Sequence, residues 1–401
     1  MSEKNKVDEA DSKFIKNFKR FKVELHVLRA PPCASANRDD NNAPKSTEYG
    51  GVTRGRISSQ ALKRALKKIL KELFGIEMAK SGYDINGCRS RKVNSLIKES
   101  LTELLKEESV DQIEELVSKV HDGLFGKGKK GSKEKEGDKE GVLLYFWTSS
   151  ETNEISELCK LIVDEYSKDN DKKTQKKTDK AFEKAIEQVK KDYKVTSLLN
   201  SIDIAYFGRM VGNTPQMDVE AACSKAHAIT THELSNEVDW FTSLDDLSED
   251  QGAGHIGSEE FVSACYYDGT VVDLGILGDN LSDSTPEQLK QILRNVIKST
   301  IHTWPTGKQH SFFSHVAPDY VMVRVTEGVP LQFGNAFEEP VKAVNKGFVK
   351  PSIERIEKHA MKLEKWEPIK PKMVYSSVDE NFTLDNLCDK VIEAIEAIEN
   401  N

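Results

Sequence analysis

Apolar and polar residues alternate cleanly in FKVELHVL: Phe21, Val23, Leu25 and Val27 fall on one side, Lys22, Glu24, His26 and Leu28 on the other. Period-two alternation predicts a half-buried strand. A long loop rich in Pro, Asn and Asp is expected from Ala30 to about Arg56; loops of that length in a compact domain are usually functional or disordered. A helix then starts at Ser58 or Ser59, both good caps, with Leu62, Ala65, Leu66, Ile69, Leu70 and Leu73 as an apolar stripe. Lys63, Lys67 and Lys71 lie four apart on another face, flanked by Arg64 and Lys68.

Residues from about Lys92 to Asn200 read as mostly helical, interrupted by two Lys-rich stretches, Gly126 to Gly141 and Ser167 to Lys180, expected as solvated loops. From Ile202 the texture turns to strands. SIDIAYFGRMVG, EFVSACYYDGTVVDLGIL and PDYVMVRVTEGVPLQF are rich in β-branched and aromatic residues, with glycines at turns. Helices are predicted at about Pro286 to Thr300, Ser352 to Leu363 and Leu384 to Ala397. Strands and helices from both ends of the chain bracket a helical middle, which predicts an α+β core completed across a helical insertion.

Composition narrows the function. The 401-residue chain has a formal net charge of −8, which argues against indiscriminate nucleic-acid binding but leaves room for a local basic groove. One such stretch stands out: GVTRGRISSQALKRALKK, Gly51 to Lys68, holds six basic side chains and no acidic one. Six widely spaced cysteines without a C-x-x-C pair argue against structural zinc and a disulfide framework. The charged first residues contain no signal-peptide core, and the longest apolar run, Val142 to Trp147, is far too short to span a bilayer. The expectation is a cytoplasmic protein.

His227, His232 and His255 lack metal-site spacing, and the acidic run Asp245 to His255 reads as a solvated loop rather than convergent carboxylates. No phosphate-loop, nucleophile-elbow or dinucleotide motif occurs. PTGKQHSF, Pro305 to Phe312, is either a plain turn or a phosphate contact through Lys308. The basic stretch is either a solvated face or a phosphate clamp, in which a loop carrying Arg54 and Arg56 enters a helix N-terminus carrying Ser58, Ser59 and Gln60. The absence of acidic partners one turn away favours the clamp. DWFT, Asp239 to Thr242, is either a core anchor or an aromatic wedge for single-stranded bases.

The motifs NRDDNN, YGGVTRGRISSQALKRA, FGRM, HAITTHE, VDWFTSLDDL, GAGHIGSEEFVSACYY and WPTGKQHSFFSHVAPDYVMVRV, in this order from about Val23 to Val325, resemble the CasC-type backbone subunits of the type I-E CRISPR Cascade complex. The resemblance implies a modified RRM-like (ferredoxin-like) palm at 20–75 and 195–375 and a helical fingers insertion at 76–194. An extended thumb loop would occupy 230–260, after a flexible N-terminus at 1–19, and a C-terminal helix would lie within 376–401. It implies a non-enzymatic protein with no cofactor, no metal and no catalytic residue. Copies would polymerise along a guide crRNA beside other Cascade subunits, holding its phosphates while bases pair with target DNA.

Residue by residue, it places Arg38 and Lys45 in an RNA-proximal loop and Ser58, Gln60, Lys63 and Lys67 on phosphates, with Arg54 and Arg56 weaker because VTRGR is less basic than the family's usual version. Met210 would pack on a guide base, and Trp240, Phe241 and Thr242 would form the thumb. Lys308 and Gln309 would also touch RNA; His310 stands where the family commonly has Asn. The rival readings are a metal-dependent endoribonuclease using acids such as Asp39, Asp40, Asp245 or Asp246, and a generic RRM-like RNA-binding protein.

Overall fold

A computed structural model describes all residues except 1–2, 84, 86, 91–92, 106–109, 126–144, 148–155, 158, 165–183, 187–200, 211–217, 245–252, 367 and 398–401. The two Lys-rich stretches lie wholly outside the described residues. The chain divides into two units, one made of Met1–Ile76, Ala222–Asp279 and Ser284–Asn401, the other of Glu77–Ala221 and Asn280–Asp283.

The first unit is built on one antiparallel sheet. Its strands are β1 (Lys22–Arg29), β2 (Ser46–Tyr49), β3 (Val52–Ile57), β6 (Cys223–Lys225), β7 (Ala228–Thr230), β10 (Tyr266–Asp273), β11 (Tyr320–Thr326) and β12 (Met373–Ser376). They run in the order β12–β11–β1–β10–β7–β3–β2, with β6 also paired to β10. β1 is central, pairing Val23 with Val272 of β10 and with Val325 of β11. Helix α2 (Ser59–Lys80) leads from β3 towards the insertion, and α7 (Pro286–His302) connects β10 to β11. Thr285 and Gln288 cap α7 reciprocally, with Pro286 in its first turn. Leu289, Ile292, Leu293, Val296 and Ile297 are all buried, as the stripe predicts.

The strand FKVELHVL forms, but it is not half-buried. Glu24, His26 and Leu28 are as buried as Val23, Leu25 and Val27. The second sheet face is covered by a 3-10 turn (Phe333–Phe337) and by α9 (Val349–Leu363), which bring Phe333, Phe337, Ile356 and Ala360 against Leu28, Tyr267, Tyr320 and Met322. His26 stacks on Phe333 at 3.9 Å. Tyr267 takes the Phe333 N–H at 2.8 Å, leaving its hydroxyl proton for His26 Nδ1 at 3.0 Å. Arg324 pairs with Glu24 at 2.7 Å in the same buried layer. Buried charges are tolerated only when paired and hydrogen-bonded in this way.

Three other expectations change. Residues expected as a flexible N-terminus form α1 (Glu3–Phe18), because Phe14 and Phe18 find buried places in the first unit. α1 packs against α7 and α10 (Leu384–Glu396). The expected loop from Ala30 to Arg56 contains the β2–β3 hairpin, turned by Gly50 and Gly51 at φ 64° and 76°. Both residues need the left-handed region, and a Cβ on Gly50 would collide with the Glu338 carbonyl. The segment expected as an extended thumb loop is an antiparallel ribbon, β8 (Asn236–Leu244) with β9 (Ala253–Val262).

The second unit holds a small β4–β5 pair (Cys88–Ser90 with Tyr145–Trp147) and the packed helices α3 (Val93–Leu104) and α4 (Val110–Phe125). It also holds α5 (Ile202–Phe207), where the sequence pattern predicted a strand. Ile202, Ile204, Ala205 and Tyr206 are buried on this short helix; a run of four to six apolar residues fits either periodicity. Helix α6 (Leu274–Asn280) follows β10. No described helix is long and apolar enough to cross a membrane.

Candidate nucleic-acid interface

Residues 33–45 stitch three elements together. Ala34 exchanges two backbone hydrogen bonds with Val262 at the base of the ribbon, at 2.7 and 2.9 Å. Asn37 Oδ1 accepts the Ser58 N–H at 2.9 Å, and the Asn37 carbonyl accepts the Lys45 N–H at 2.9 Å. Asp39 Oδ1 accepts the N–H groups of Asn41 and Ala43, so this carboxylate shapes the loop. Arg38 bridges to Pro44 and donates to Asn42 Oδ1. Arg56 donates to the Ser46 carbonyl at 3.3 Å and meets His227 Nδ1 at 3.1 Å. Partial burial, then the charges of Arg56 and Lys45, hold the His227 imidazole below its ordinary value. Burial is the larger cause; the nearby Arg56 and Lys45 charges add a locally positive field, which favours an anion.

Ser58 is buried and caps α2, its hydroxyl accepting the Ala61 N–H at 3.3 Å. Gln60 is exposed, Lys67 is half-buried, and Lys63 is half-buried with its ammonium donating to the Cys223 carbonyl at 2.9 Å. The face is not wholly without acids one turn away, since Lys68 pairs with Glu72 at 3.6 Å. Leu62, Ala65, Leu66 and Leu70 are buried as expected, but Leu73 is exposed.

Arg54 differs from its expected role as a phosphate contact. It is fully buried, and its guanidinium donates to the carbonyls of Tyr49 (3.1 Å), Thr230 (2.9 Å), Phe337 (2.9 Å) and Glu338 (3.1 Å). On β3, Arg54 ties the hairpin to the 3-10 turn. Burial pulls its pKa below the usual arginine value, yet an arginine there stays charged.

On the ribbon, Trp240 faces Ser258 and Thr242 faces Ile256. Val238, Trp240, Thr242 and Ile256 therefore share one face, with Val238 50%, Trp240 72% and Ile256 64% exposed. Trp240 is not a core anchor. Phe241 points to the opposite face, where its ring lies over Gly257. That second face is tied to the short helix α8 (Gln309–Phe312): Lys308 pairs with Glu259 at 2.8 Å, and Phe312 meets Phe261 at 5.8 Å. Lys308 is thus already partnered, and Gln309 is half-buried beside it. Val238 and Ile256 were missed in the sequence; the two-residue spacing of Val238, Trp240 and Thr242 was the available signal.

Met210 is 86% exposed but belongs to the second unit. Asp245 and Asp246 lie outside the described residues. His232 is structural: Nε2 accepts the Cys265 N–H, Nδ1 meets the Glu233 carbonyl, and the ring stacks on Phe348. Among the described residues no cluster of His, Cys, Asp and Glu could hold a metal ion.

One chain of a solved CRISPR RNA-guided surveillance complex, in a pre-nicking state, is 25% identical with a TM-score of 0.72, the match covering 93% of this chain and 100% of the other. A chain of another CRISPR RNA-guided surveillance complex shares the fold at 21% identity and a TM-score of 0.62, over 93% and 99% of the two chains. No curated protein matches. The sequence belongs to the family of CT1975-like proteins (Cas_CT1975), whose model matches residues 23–396.

Proposed function

We propose that this chain is a CasC-type backbone subunit of a type I-E CRISPR surveillance complex. In this reading it has no enzymatic activity and polymerises along a guide RNA, holding phosphates and segmenting bases for pairing with target DNA. The observation that carries the reading is the ribbon, whose outer face presents Val238, Trp240 and Ile256 to solvent. An exposed apolar face on a projecting element marks an interaction site. The full-length similarity to a surveillance-complex chain supports the choice of assembly.

The strand order β11–β1–β10–β6, with α2 and α7 as the connecting helices, matches a ferredoxin-like βαββαβ unit and supports an RRM-like palm. The second unit would supply the fingers and the ribbon the thumb. Lys45, Arg56, Gln60, Lys63, Lys67 and Lys308 would hold backbone, while base pairing reads sequence. Repetition of modest contacts along one RNA adds through avidity. Lys308 would exchange its Glu259 partner for phosphate.

Purifying the protein with its native nucleic acid tests this reading. RNA of uniform length is expected, left intact on incubation with Mg²⁺ or Mn²⁺. Recovery without RNA, or metal-dependent cleavage abolished by Asp39→Ala or Asp245→Ala, would overturn it.

A further inference from the structure

The residues on either side of α8, Lys308 and Phe313, both sit in the left-handed region, at φ 52° and 46°. For a bulky side chain this is a genuine outlier, and such strain persists only where the surroundings over-determine it, characteristically at functional positions. Here they do. The N–H groups of Ser311 and Phe312 donate to the Lys308 carbonyl at 3.0 and 2.9 Å, and the Phe313 N–H donates to the Gln309 carbonyl at 2.8 Å. Phe312 turns inward onto Phe261, and Ser314 is buried. Phe313 is left 79% exposed on a fixed backbone.

The place of this ring is informative. Gly307 is so close to residue 36 that an added Cβ would lie 2.3 Å from the Ala36 carbonyl. The Phe313 loop is therefore packed on the loop that carries Arg38 and Lys45. Its chain neighbours His310 and Ser311 are exposed and polar, and the Gln309 amide oxygen is buried without a hydrogen-bond partner. Protein interfaces group their aromatic anchors into packed apolar clusters. An exposed flat ring beside exposed polar residues instead suits an unpaired base, which presents a π-face whatever its identity.

We propose that Phe313 is a stacking platform for an unpaired RNA base at the margin of the loop that carries Arg38 and Lys45. The proposal rests on the RNA-binding reading above. A preordered ring loses little freedom on binding, so the strained backbone serves the contact.

The test measures binding of single-stranded RNA containing 2-aminopurine by the full chain, at several salt concentrations, alongside thermal melts. Phe313→Ala is expected to weaken binding about 5- to 150-fold and to reduce 2-aminopurine quenching. The salt slope should not change, because no ionic contact is lost. Phe313→Gly should weaken binding equally while raising the melting temperature, since glycine accepts the positive φ. Phe313→Trp should retain binding. Wild type that binds RNA beside a Phe313→Ala protein that binds equally well would overturn the stacking role alone. Altered self-association with normal RNA affinity would also overturn it. Wild type that fails to bind RNA would overturn both this inference and the RNA-binding reading.

Discussion

Replacing Arg54 by alanine separates a structural arginine from a phosphate ligand. Its guanidinium donates to four carbonyls between 2.9 and 3.1 Å and is fully buried. Hydrogen bonds from a charged donor contribute roughly 1.5–3 kcal/mol each. Losing all four would exceed the stability of many domains, but alanine also removes the several-kcal/mol desolvation penalty of the buried cation. The net loss should be about 3 kcal/mol, because the carbonyls of Thr230, Phe337 and Glu338 remain behind without that donor. For a unit of this size that lowers the melting temperature by roughly 6–12 °C. Arg54→Lys should recover less than half, since an ammonium cannot span carbonyls on both sides of the hairpin. RNA affinity per folded molecule, and its dependence on salt, should match wild type. An unchanged melt, combined with a log–log salt slope shallower by about 0.7, would refute the buried-tie reasoning and restore Arg54 to the phosphate set.

The ribbon double variant Trp240→Ser with Ile256→Ser should melt within about 0.5 kcal/mol of wild type yet lose periodic protection of RNA in footprinting; a large drop in melting temperature would mean the face is covered within the subunit. On α2, Leu66→Ala should cost about 2–5 kcal/mol with normal RNA binding per folded molecule, while Lys67→Glu should leave the melt nearly unchanged and flatten the salt dependence; swapped results would invert the two faces. Burial lowers the pKa values of His26, His232 and His359 from the ordinary 6.5. The unfolded chain therefore takes up these protons first. Stability should be full above pH 6.5 and fall as pH drops from there towards the folded-state values; melts that do not change between pH 7.5 and 5.5 would contradict this.

Local pattern carried much of the fold. The stripe of Leu289, Ile292, Val296 and Ile297 placed α7 closely, because a helix declares its buried face within a few turns. β1 declared its strand but not its second cover, since Phe333 and Ile356 lie some three hundred residues away in sequence. Tyr49–Gly50–Gly51–Val52 was a hairpin signal hidden by the surrounding Pro and Asn, and overlooking it left Arg54 in a loop. Once β3 is a strand, Arg54 and Arg56 share a side, and what separates them is cover: the 3-10 turn closes over Arg54, while Arg56 stays half-buried beside His227. The basic character of the site was legible in Gly51 to Lys68. Its stitching through Asn37 and Ala34 was not, because those bonds join segments with no pattern in common. Phe313 was invisible for a different reason: nothing in a sequence marks a phenylalanine that will be held at positive φ.

The centrality of β1 constrains how the chain is made. The strand is made well before its partners, for it pairs with β10 and β11. At about 5–20 residues per second, roughly 10–50 s pass between the synthesis of Arg29 and that of Tyr266. During that interval an apolar strand with two unpaired edges waits in solution, the condition under which chains aggregate or swap segments. The second unit, continuous in sequence apart from Asn280–Asp283, can assemble while the first waits. Closure then depends on contacts distant in sequence, which makes it slow. The yield of this subunit is therefore governed by what shields β1 during synthesis, and slowing translation ahead of β10 lengthens its exposure.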